Sequence, residues 1–67
     1  MNVPGFSTNG LKALQDAIRK ALEADDAMPV GQDKTYGVRA FPDWKEMADK
    51  LEAQLDLRRE TYTKVPW

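Results

Sequence analysis

Between residues 8 and 24 the apolar side chains recur with the period of a helix, and no other feature narrows the fold as much. With Leu11 as reference and ~100° added per residue, Leu14, Ile18 and Leu22 fall within roughly 60° of it. Ala13, Ala17, Ala21 and Ala24 occupy the adjoining sector; Lys12, Gln15, Asp16, Arg19, Lys20 and Glu23 take the remainder. The spacing predicts an amphipathic helix from Thr8 or Asn9 to Ala24, with an apolar arc about half the circumference wide. Ser7 is placed to cap it, its hydroxyl accepting an orphan backbone N–H, and Phe6 and Leu11 stand at the two positions of a hydrophobic staple. Asp16/Lys20 and Arg19/Glu23 are opposite-charge i,i+4 pairs worth about 0.2–0.5 kcal/mol each. Asp25 and Asp26 oppose the negative end of the helix dipole and are expected to help stop the helix.

A second period lies farther along the chain. Trp44, Met47, Ala48, Leu51 and Leu55 share a stripe, which predicts a helix to about Leu57. Asp43 as N-cap and Glu46 three residues on fit the capping-box spacing, and Lys45/Asp49 and Glu46/Lys50 repeat the i,i+4 pairing. Leu57 lies off the stripe and is expected to pack against the C-terminal segment. Residues 25–34, punctuated by Pro29 and Gly31, have no period and read as a flexible linker, with a short strand near Met28–Val30 as the other option. Thr35 to Phe41 alternates as a strand would, with Tyr36, Val38 and Ala40 on one side and Thr35, Gly37, Arg39 and Phe41 on the other; Pro42 would end it. Glu60 to Val65 is β-branched and aromatic, hence a second strand. The expected architecture is therefore α+β, or small α/β. It is a single domain over residues 1–67 in the order α-β-α-β, with two amphipathic helices on a two- to three-stranded sheet and a right-handed crossover.

The chemistry open to such a chain is narrow. Its 67 residues contain no Cys and no His, which removes disulfides, thiolate chemistry, Cys/His zinc sites and the usual general base. Ten Lys+Arg against eleven Asp+Glu leave a net charge of −1, too small a field to draw nucleic acid or an anionic membrane. The glycines are scattered, with no phosphate-cradling loop, and Asp25, Asp26 and Asp33 lack EF-hand spacing and read as solvated surface. Neither an enzyme nor a cofactor is expected. No apolar run approaches the ~20 residues needed to span a bilayer, and no leader pattern opens the sequence. The expected compartment is the cytoplasm, or the virion for a phage-encoded chain.

Two function classes survive. The leading one is a non-catalytic protein-interaction module, docking to a protein partner or to itself. Ala13, Ala17 and Ala21 form a small-residue ridge suited to close helix approach. Tyr62 and Trp67 are candidate anchors, since aromatic residues dominate interface energetics. The alternative is a weak single-stranded nucleic-acid binder. Lys34, Tyr36, Gly37 and Phe41 partly match the RNP1 pattern, and Tyr36, Arg39, Phe41 and Lys64 would stack bases and meet phosphates on a sheet face. Against that stand the net charge and a length too short for the four-stranded RNA-recognition fold; Tyr36 and Val38 then read as core, with Gly37 easing a close contact.

The segment from Tyr36 to Trp44, the charged helix after it, and Tyr62 to Trp67 together resemble small proteins of phage and prophage structural gene clusters. Head–tail joining proteins of the λ W type are chains of similar length with a β-hairpin between two helices. Pro29 and Gly31 interrupt the place of that hairpin here. The resemblance implies a virion or prophage context, in which small folds act by docking to larger assemblies, and it carries no functional residues over.

Overall fold

In a computed structural model that describes residues 3–67, Ser7 caps the first helix as its position suggests. Its side-chain oxygen accepts the N–H of Gly10 at 3.0 Å. Helix α1 spans Thr8–Asp26, and a 3-10 turn, Val3–Gly5, precedes it. Helix α2 spans Pro42–Leu57. Arg58, just past the end of α2, donates to Thr8 Oγ1 at 3.1 Å and to the Pro4 carbonyl at 3.2 Å, beside the start of α1. The two helices are therefore antiparallel, a helical hairpin.

The described residues contain no strand, so the fold is all-α and the expected α+β (or small α/β) architecture with its α-β-α-β order is overturned. Residues 38–40 form a turn, with Ala40 N–H and Phe41 N–H both donating to the Gly37 carbonyl at 3.1 Å. Residues 60–67 form an irregular strap along the hairpin. The reason is physical. A strand needs a ladder partner for its backbone groups, and here helix side chains answer those groups instead.

Three boundaries also shift. Pro42, read as a strand terminator, is the first residue of α2, where its fixed φ suits a helix and its missing N–H would have had no partner anyway. Phe41 is the N-cap and makes no side-chain cap bond, while Asp43 sits inside the first turn and not at the cap. At the other end, α1 continues through Asp25 and Asp26, because each carboxylate finds donors in residues 36–39 that offset its poor fit with the dipole. Helix α2 closes in a Schellman motif. The Glu60 N–H reaches the Leu55 carbonyl and the Arg59 N–H reaches the Asp56 carbonyl, both at 3.0 Å, with Arg59 in the left-handed region at φ 57°.

The core is Leu11, Ile18, Ala21 and Leu22 from α1, Ala48, Leu51 and Leu55 from α2, and Val3, Val38 and Val65 from the 3-10 turn, the loop and the strap. Each buried Leu, Ile or Val contributes about 1.5–3 kcal/mol relative to exposure. Both apolar periods thus meet in the hairpin interior as their spacing requires. All four expected i,i+4 ion pairs form, at N–O distances of 3.0 to 3.8 Å. Two residues depart from expectation. Gln15, assigned to the wet face, is only 3% exposed, and Leu57, expected to pack, is 78% exposed.

Candidate functional site

The hairpin has two broad faces. At ~100° per residue, Gln15 leaves α1 and Glu52 leaves α2 toward one face, while Leu14, Ala17 and Met47 leave toward the other. The strap covers the first. Gln15 Nε2 donates to the Thr63 carbonyl at 2.6 Å and to Glu52 Oε2 at 3.1 Å, and the Val65 N–H donates to the same Glu52 oxygen at 3.2 Å. One amide and one carboxylate therefore fasten the strap to both helices at once. Farther along, Arg39 donates to the Trp67 carbonyl and, at 3.3 Å, to the Pro66 carbonyl, while its fork grips Asp26 at 2.9 and 3.0 Å. Lys45 Nζ lies 5.9 Å from the centre of the half-buried Trp67 ring. The Tyr62 hydroxyl donates to Asp56 at 2.8 Å. Burial, that hydrogen bond and the charges of Asp56 and Glu52 push the phenol up to about 12.

Asp25 holds the loop end. It is 2% exposed, and its two carboxylate oxygens accept the N–H groups of Tyr36 and Val38, each at 3.0 Å. This seats Val38 in the core at 1% exposure. Desolvation by itself would raise the pKa of such a buried carboxyl. The backbone donors of Val38, Tyr36 and Gly37, with Lys34 nearby, outweigh it and hold Asp25 below the ordinary aspartate value of 3.8. Asp26 is likewise held low, by its hydrogen bonds to Arg39 against a smaller desolvation effect and by the Arg39 and Lys34 charges.

The second broad face is open among the described residues. Leu14, Ala17, Ile18 and Ala21 of α1, Trp44 and Met47 of α2 and Tyr36 of the loop line an apolar groove of about 390 Å³. Lys20 is its one charged lining residue. Tyr36 meets Trp44 edge to face, with ring centres 6.3 Å apart and planes at 73°. Tyr36 remains 48% exposed.

The residues singled out from the sequence divide between these two faces. Ala17 is exposed and Ala21 buried, and both line the groove. Ala13 is exposed and borders a shallower depression with Thr61, Tyr62 and Thr63. Tyr62 and Trp67 belong to the strap and pack against the core; Tyr62 comes beside Ala13, but the five residues do not form one cluster. Tyr36, Arg39, Phe41 and Lys64 share no sheet face, there being no sheet among the described residues. Tyr36 is in the groove, Arg39 is engaged by Asp26 and the strap, and exposed Lys64 lies on the strap. Phe41 is 61% exposed and lies over Gly37. A Cβ on that glycine would come within 2.8 Å of the Phe41 ring, and its φ of +68° also favours glycine.

Sequence reasoning missed Gln15, Asp25 and Glu52 as structural fasteners. A signal existed for Asp25, which continues the Ile18–Leu22 spacing into the buried stripe, and for Gln15, which lies only about 40° from Leu11. Among the described residues no group of three or more His, Cys, Asp or Glu could hold a metal ion, and no helix is long and apolar enough to cross a membrane. No protein-family model, no curated protein and no solved structure matches the chain.

Proposed function

We propose that this chain is a non-catalytic protein-interaction module whose working surface is the groove between α1 and α2. The observation that carries this reading is an unfilled apolar groove lined by Trp44, Met47 and Tyr36. These are the residue types enriched at the centres of protein interfaces. The likeness of residues 36–44 and 62–67 to proteins of phage and prophage structural gene clusters supports a place in virion assembly, acting in the cytoplasm or within the virion.

The test is capture of partners by the immobilised chain and by its Ala17→Glu variant, with circular dichroism confirming that both are folded. Ala17 is exposed, and Glu is a good helix former, so the change alters the groove and not the fold. Partners held by the native chain and lost by the variant support the reading; identical capture by both defeats it. A labelled single-stranded oligonucleotide serves as the counter-test. Binding at low salt that weakens as salt rises would move the assignment to nucleic acid.

A further inference from the structure

We propose that the occupant of the groove is a second copy of this chain, docked face to face about a two-fold axis running along the helices. The inference rests on the reading of the groove as the working surface and names what fills it. Rotation about such an axis lays α1 of one copy over α2 of the other, so the face must be complementary to itself. Its charges are arranged in that way. Lys20 stands on the α1 rim as the one charged lining residue. Asp43 lies one turn before Met47, in an adjoining depression shared with Glu46 and Lys50; those two pair with each other at 3.3 Å, and Asp43 has no ion-pair partner among the described residues. The two-fold sets each Lys20 beside the other copy's Asp43, giving two identical pairs. Within its own chain Lys20 is held only by Asp16, at 3.0 Å, and its side chain is 69% exposed, so it is free to turn toward the new partner.

Extent and net charge agree. The molecule measures 40 × 20 × 15 Å, so the broad face is long and wide enough for a second hairpin to lie along it. A net charge of −1 leaves two copies with little mutual repulsion. The strap already closes the opposite face, so this is the face on which the second copy docks.

Sedimentation velocity on the whole chain, from about 5 μM to about 0.5 mM, is the experiment. The native chain is expected to pass from monomer to dimer over that range. Ala17→Glu is expected to remain monomeric throughout, with its helical content intact. Lys20→Glu sets like charges face to face and should weaken dimerisation about tenfold or more. Adding Asp43→Lys to that variant should restore dimerisation, which a merely local effect of Lys20 would not do. A native chain that is monomeric at the highest concentration overturns the proposal, as does a dimer indifferent to Ala17→Glu. A double variant as weak as Lys20→Glu alone overturns the two-fold arrangement. A monomeric chain that still captures a partner through Ala17 overturns the second copy and leaves the groove reading standing, whereas capture that survives Ala17→Glu defeats that reading itself.

Discussion

One pair of helices builds both broad faces of the hairpin, yet the two faces end up in opposite states. On one, Gln15 and Glu52 reach out from neighbouring helices and hold the backbone of residues 63 and 65. On the other, Ala17 and Ala21 offer nothing polar, and the aromatic and thioether side chains of α2 line an open groove. A polar side chain in the right sector of an amphipathic helix recruits the chain's own backbone. A small apolar one leaves room for something else. The difference is a matter of which residue stands on either flank of the core stripe, a distinction that overall hydrophobicity does not register.

Several substitutions would break or sharpen this contrast. The largest effect belongs to the shared floor beneath both faces. Leu51 is completely buried, and Leu51→Ala should cost about 2–5 kcal/mol, the range for a Leu cavity. A chain of 67 residues has a total stability of only about 3–10 kcal/mol, so urea titration followed by circular dichroism should find the variant's midpoint lowered by a large fraction of the native value.

Acid should act next, and chiefly through the loop end. Asp25 is held below 3.8 in the folded chain, so its contribution is complete above that value and drains away as pH falls through the lower folded value. Asp16 and Asp26, also held low, add in the same direction. Thermal midpoints measured from pH 6 down to pH 2 should fall steeply below about pH 4. Asp25→Asn should lower the midpoint at neutral pH and flatten that fall. An equally steep acid loss in the variant would show that Asp25 is not the group responsible.

Gln15→Ala bears directly on the closed face. It strands the Thr63 carbonyl and removes one donor from Glu52, at a cost of about 1–3 kcal/mol. Hydrogen exchange should show the Val65 amide losing protection well before the helix amides do. Association through the groove should be unaffected, and a changed monomer–dimer balance would mean that the two faces are coupled. Arg59→Gly acts the other way. The left-handed backbone at φ 57° suits glycine, and the swap should raise stability by about 0.5–1 kcal/mol once the extra freedom of glycine in the unfolded chain is counted. Ala17→Glu should have the smallest effect on stability, within about 0.5 kcal/mol, while having the greatest effect on association.

Both helices, the Ser7 cap, the surface ion pairs and the leucine core were legible because each is written in spacings of three or four residues within one segment. The strands were not there to be read. Residues 35–41 and 60–65 carry strand-like composition, but a strand is a relation between two backbones, and local pattern cannot reveal that Asp25, Glu52, Gln15 and Arg39 will claim the same groups first. The groove was half legible. Ala17 and Ala21 stood out as a ridge, whereas Trp44 and Met47 looked like ordinary core until the strap went to the other face and left them with one side uncovered.

The fastening of residues 60–67 by side chains has a further consequence for solubility. A β-branched, aromatic segment laid out as a ladder would have presented a row of spare amides and carbonyls for a neighbouring molecule to extend, the usual seed of fibrous aggregation. Tied down singly by an amide, a carboxylate and a guanidinium, the same residues present fewer spare groups and no regular ladder to extend.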